Sequence, residues 1–165
     1  MEGVSHALTP PPVSADAEVV RVPALLVVVP AVALASVDLA VKALLPTAAW
    51  ELHARSQAWS VFGVVLLGAL LLVGLLPSRL VSLAAGVAAA GVAGNVLSAR
   101  LDGGRVPDPL VVGTVAFNLA DVLVVVAAPV LVVALFRVAI RHRAFVDRHV
   151  PPRPWELALR RRLGL

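Results

Sequence analysis

Four stretches of this chain carry almost only apolar side chains, and each is near the twenty or so residues that a helix needs to cross a bilayer. They run from about Ala24 to Leu45, Ala58 to Leu76, Leu80 to Leu97 and Val115 to Phe136. The first is too long for the apolar part of a signal peptide and holds Asp38 and Lys42, so it is expected to stay as a membrane helix. The pattern predicts an all-α membrane protein with four transmembrane helices. Residues 1–20, with a proline triplet and little periodicity, read as a disordered N-terminal tail. Residues 21–137 form the membrane domain, and 138–165 a basic C-terminal tail.

Charge orients this arrangement. A formal net charge of +4 could indicate a nucleic-acid partner, but eight of the fourteen Lys and Arg residues lie between Arg137 and Arg162, directly after the last apolar stretch. With Arg21 and Arg79 on the same side, the positive-inside rule puts both termini in the cytoplasm. The loops at 46–57 and 98–113 then face outward, where Arg55, Arg100 and Arg105 are offset by Glu51, Asp102 and Asp108. No nucleic-acid partner is expected. The tail segment RPWELALRRRLGL (153–165) has Trp155 and leucines at helical spacing; it suits either an anionic leaflet or plain solvation.

Composition agrees with the membrane reading: 60% of the 165 residues are hydrophobic, and the mean hydropathy is +0.96. The third stretch has Gly86, Ala90 and Gly94 at four-residue spacing, with Gly91 beside them, a seam along which helix backbones approach closely. The absence of cysteine removes disulfides and thiolate chemistry from consideration.

An ionisable side chain at the centre of a membrane helix costs on the order of 3 kcal/mol, so the three inside these spans stand out. They are Asp38, Lys42 and Asp121. Asp38 and Lys42 are four apart and share a helix face, which suits a structural ion pair as well as a functional one. At 1.5 Å per residue, Asp38 and Asp121 should each lie roughly 10 Å from the outward end of their spans. Asn118 shares the face of Asp121, and Asn95 comes near the outer end of the third span. Polar groups from three helices thus converge on one outward layer.

Asp108 enters that layer from the loop GGRVPDPL (103–110), flanked by prolines. Taken alone it suits an ordinary turn. Placed beside Asp121 it would form a carboxylate pair sharing one proton, one member deprotonating water while the other polarises a carbonyl. The four histidines are scattered, with no HExxH, so no metal site is expected. No GxSxG supports a serine nucleophile, and GGRVP lacks the continuation of a P-loop.

In order and content these residues resemble the lipoprotein signal peptidases (signal peptidase II), four-helix aspartyl proteases of bacterial membranes. DLAVK (38–42) is similar to the family's first-helix D-x-x-x-K, GVAGN (91–95) to the G-x-x-GN ending its third helix, VPDPL (106–110) to V-x-D-F, and AFNLAD (116–121) to F-N-x-A-D. The resemblance implies that Asp108 and Asp121 are catalytic and that Asn118, Asn95, Arg100, Asp38 and Lys42 are supporting polar residues. It further implies cleavage of prolipoprotein signal peptides at a diacylglyceryl-modified cysteine, with no cofactor, by a monomer among membrane lipids. The location implied is the bacterial cytoplasmic membrane, active site toward the outer face. Three departures are visible: GNVLSAR (94–100) is a residue longer before its arginine than the usual GN-x-x-DR, ARSQAWSVF (54–62) lacks the Asn and Gly of N-x-G-A-A-F-S, and Asp108 stands close to Asp121 for the family. An inactive paralogue binding lipoproteins or partner membrane proteins, and a small ion or proton pathway, stay open as alternatives.

Overall fold

The computed structural model describes the backbone of residues 15–149, 159 and 161–164, with side-chain environments over 24–143 in the membrane domain. Most of the N-terminal tail, and most of the segment 153–165 discussed above, lie outside the described residues. Four long helices dominate: α1 (Ala15–Leu44), α2 (Gln57–Gly74), α3 (Arg79–Leu101) and α4 (Leu119–His149). Each contains a segment long and apolar enough to cross a membrane. The protein is a multi-pass membrane protein.

The third helix is the centre of the bundle. About 72% of its most apolar window is buried inside the protein, against 22%, 17% and 22% for the windows of α1, α2 and α4. Its sequence explains why: Ala84, Ala85, Ala88, Ala89 and Ala90 are buried and small, so three neighbours can close on one rod. A Cβ on Gly86 would stand 2.6 Å from the Val27 carbonyl oxygen of α1, and one on Gly91 would strike the Ala120 carbonyl of α4. The expected glycine seam therefore serves two partners. Large apolar side chains on the outer faces, among them Val28, Val32, Val61, Val65, Val125 and Val132, are exposed, as lipid contact requires.

Helix ends follow local chemistry. Ser56 and Ser78 cap α2 and α3, their hydroxyls accepting from the backbone N–H groups of Trp59 and Val81. The third helix stops at Gly103 (φ 62°), beyond which Gly104 N–H donates to Ala99 O at 2.7 Å, the Schellman arrangement.

The all-α expectation is incomplete, because the α1–α2 and α3–α4 connections contain four short strands. β1 (Leu52–Ala54) pairs antiparallel with β2 (Arg105–Pro107), placing His53 opposite Val106. β3 (Leu110–Val112) pairs with β4 (Val115–Phe117) across a two-residue turn whose first residue, Gly113, has φ 63°. That is the position a type II′ hairpin turn reserves for glycine. Three expected boundaries also move. The fourth apolar stretch is not one helix: its start is β4, and α4 begins at Leu119. At the other ends, α1 begins at Ala15, inside the tail expected to be disordered, and α4 continues to His149 in the basic tail. Hydropathy merges an apolar strand with the helix after it, and it cannot register helical turns built from Ala, Glu and Arg, which are good helix formers.

Candidate active site

The segment Phe117–Asp121 is a helix start before it is anything else. Asn118 caps α4: its Oδ1 accepts from Asp121 N–H at 3.0 Å, while Asp121 Oδ2 accepts from Asn118 N–H at 3.3 Å. This reciprocal pair is a capping box with aspartate in the usual place of glutamate. It leaves Asn118 Nδ2 and Asp121 Oδ1 to reach other elements.

Asp121 Oδ1 accepts from Asn95 Nδ2 of α3 at 2.9 Å, and Asn95 Oδ1 accepts from Lys42 Nζ of α1 at 2.9 Å. Lys42 also donates to Asp38 Oδ2 at 2.8 Å. The remaining oxygen of Asp38 accepts from Ala120 N–H at 2.8 Å, so an α1 carboxylate caps the first turn of α4. A closed ring of hydrogen bonds thereby ties α1, α3 and α4 at one level. Each member is matched donor to acceptor, and the orientation of both asparagine amides follows from their partners. Asp38 and Lys42 are buried, and their contacts compensate charges that would otherwise be costly at this depth. Gly94 makes room for the ring, since a Cβ there would overlap the Asp38 carboxylate.

From the ring, the network extends outward through Asn118. Its Nδ2 donates to Asp108 Oδ1. Asp108 is held from behind by its own N–H, which donates to Glu51 O at 3.0 Å and continues the β1–β2 ladder. On the other side, Asp108 Oδ2 lies 2.5 Å from Nδ1 of His53, a half-exposed side chain on β1. One asparagine thus joins the two aspartates, and the short connection between them is taken up by the tight β3–β4 hairpin.

The two carboxylates differ in access. Asp108 is 2% exposed. Asp121 is partly exposed and lines a cavity of about 230 Å³ between α2, α3 and α4, whose other walls include Trp59, Phe62, Leu66, Val92 and Val125. An apolar groove between membrane helices therefore ends on a carboxylate, a shape suited to an extended apolar segment presenting one polar bond.

A family model described as signal peptidase (SPase) II matches residues 31–137, a range that includes every residue of this network. The chain belongs to the signal peptidase II family. The family is one of aspartic-type peptidases, and membership supports a lipoprotein signal peptidase role with lipoprotein substrates processed in membranes. No curated protein and no solved structure matches the chain.

Among the residues singled out from the sequence of this signal peptidase II relative, six meet in one network: Asp38, Lys42, Asn95, Asp108, Asn118 and Asp121. Arg100 does not join them. It is exposed at the end of α3 and lines a separate polar cavity with Arg55, because the extra residue before it turns it to another side of the helix. The expected depth of Asp121 also changes: it is the third residue of α4, not roughly 10 Å inside a span, and it shares a level with Asp38 because α4 begins only at Leu119. His53 is the residue sequence reasoning missed. Its link to Asp108 arises from strand pairing between segments some fifty residues apart, which no local pattern announces.

Proposed function

We propose that this chain is a membrane aspartyl endopeptidase that removes the signal peptide of a prolipoprotein at a lipid-modified cysteine, with Asp108 and Asp121 as its catalytic pair. The observation that carries the reading is the bridge: Asn118 accepts from the Asp121 N–H through Oδ1 and donates to Asp108 through Nδ2. The signal peptide enters the apolar groove from the lipid side and lays its scissile carbonyl against Asp121. One carboxylate takes a proton from water as the water oxygen bonds to the carbonyl carbon; the other, already protonated, donates to the carbonyl oxygen. As the C–N bond breaks, a proton passes to the departing amine. Asn95 and Asn118 hold Asp121 by its two oxygens during this exchange. Asp38 and Lys42 brace the helices that carry it.

The far ends of the helices support an outward-facing site in a bacterial cytoplasmic membrane. Arg79 begins α3 at the end away from Asn95, and Arg137, Arg141 and Arg143 lie in the half of α4 remote from Asp121. By the positive-inside rule that basic end is cytoplasmic, as are both termini. The ring closes on itself at one level, and among the described residues no chain of ionisable groups leads from it toward the other side, which argues against an ion pathway.

Cleavage of a lipidated precursor in reconstituted membranes tests the proposal. Asp108→Asn and Asp121→Asn should each abolish cleavage at unchanged protein levels; full activity in either removes the pair. A second reading, a relative that binds lipoproteins without cutting them, is favoured by the burial of Asp108 with both oxygens engaged. Turnover by the wild-type protein would exclude it, and binding without turnover would establish it.

A further inference from the structure

At the ends of α2 and α3 nearest the β1–β2 pair, a polar cavity of about 440 Å³ is lined by Arg55, Gln57, Ser60, Ala99, Arg100 and Gly104, none of which lines the Asp121 groove. Two guanidinium groups meet there, and neither forms an ion pair among the described residues. Arg55 lies over the Trp59 ring, 5.0 Å from its centroid, and its Nε is a buried polar atom without a hydrogen-bond partner. A buried donor left unpaired is costly and uncommon, so an absent acceptor is the economical explanation.

The same face continues downward as an apolar groove of about 310 Å³ between α1, α2 and α3, with Leu67, Leu71, Ala93 and Leu97 among its walls. Ser60, Leu67 and Leu71 follow one another along one face of α2, as do Arg100, Leu97 and Ala93 along α3. Cavity and groove share no wall but lie in line on these two helix faces, giving a track that is polar at the rim and apolar below. From Ser60 to Leu71 it descends roughly 16 Å, about one leaflet's share of a hydrocarbon core of roughly 30 Å. The catalytic groove, lined by Phe62, Leu66 and Asn95, lies on a different face of the same two helices.

We infer that this track binds one phospholipid of anionic headgroup, its phosphate on Arg55 and Arg100 and an acyl chain along Leu67, Leu71, Ala93 and Leu97. A forked guanidinium matches phosphate oxygens, and two unpaired arginines at a membrane rim favour a net negative headgroup over a zwitterionic one. A diacylglyceryl group has no anion for them, which separates this occupant from the substrate of the proposed reaction. The inference rests on the membrane-spanning fold and stands or falls independently of catalysis.

Native mass spectrometry of the full chain in detergent, titrated with dioleoyl phosphatidylglycerol, dioleoyl phosphatidylcholine, dioleoylglycerol or inorganic phosphate, tests it. One phosphatidylglycerol per chain should bind in preference to the other three. Arg55→Gln with Arg100→Gln should weaken its retention about 30-fold and lower phosphatidylcholine retention much less, removing the preference between the two. Ala93→Phe, which fills the groove, should weaken phosphatidylglycerol without altering the response to inorganic phosphate. Circular dichroism of the lipid-free variants checks that each is folded; if the double variant does not fold, the two single arginine variants take its place. Unchanged phosphatidylglycerol retention in the folded arginine variants overturns the inference. So does equal retention of dioleoylglycerol, or full occupancy by inorganic phosphate, which would make this a site for the free anion.

Discussion

Lys42→Met is the sharpest test of the hydrogen-bond ring. Lys42 is buried on α1 and holds two acceptors, Asp38 Oδ2 at 2.8 Å and Asn95 Oδ1 at 2.9 Å. Methionine is of similar length and fits the apolar part of the space, so loss of the ammonium is the main change. Asp38 then keeps one donor, Ala120 N–H, and carries a buried charge without a counterion. Removing one partner of a buried pair costs about 3–5 kcal/mol. For a chain of this size about 1 kcal/mol moves Tm by roughly 2–4 °C, so the expected fall is on the order of 10 °C. Thermal unfolding in detergent followed by circular dichroism reads it directly. Asp38→Asn combined with Lys42→Met removes both charges while leaving an oxygen for Ala120 N–H, and should recover most of the loss. A single variant within about 2 °C of wild type, which is less than 1 kcal/mol by the same conversion, would refute the reasoning, as would a double variant no more stable than Lys42→Met.

Other outcomes follow from the same geometry. Gly94→Ala places a methyl group against the Asp38 carboxylate and should cost about 1–3 kcal/mol by overpacking; an unchanged melting curve would mean that the helices separate there without strain. Asn118→Asp keeps an α4 cap of comparable quality but sets a third carboxylate against Asp108, so the protein should fold and fail to cleave a lipidated precursor. Cleavage at the wild-type rate would break the bridge argument. His53→Ala frees Asp108 Oδ2 from its imidazole contact and should slow cleavage by up to about 100-fold through misplacement. His53→Asn retains a donor near the position of Nδ1 and should restore much of the rate; equal rates in all three proteins would deny His53 a positioning role. Leu66→Trp narrows the groove that ends on Asp121 and should raise KM with kcat nearly unchanged; a fall in kcat alone would place the substrate elsewhere.

The parts of this protein legible in its sequence are those whose physics is local. Apolar runs of about twenty residues specify membrane helices because a bilayer leaves the backbone few alternatives. Asp38 and Lys42, four apart, must share a helix face, as must Asn118 and Asp121, three apart; that the second pair forms a capping box followed only from the start of α4 at Leu119. The small residues of α3 announce close packing, and the motifs of the signal peptidase II family point to both aspartates. Tertiary structure decided everything that depends on segments distant along the chain. The pairing of β1 with β2 sets His53 against Asp108, and the descent of α4 to the level of Asp38 makes that side chain its cap. The turn of α3 sends Arg100 to Arg55 instead of to the aspartates. Periodicity states which side of a helix a residue occupies, but the neighbour it meets depends on how rods and strands are assembled around it.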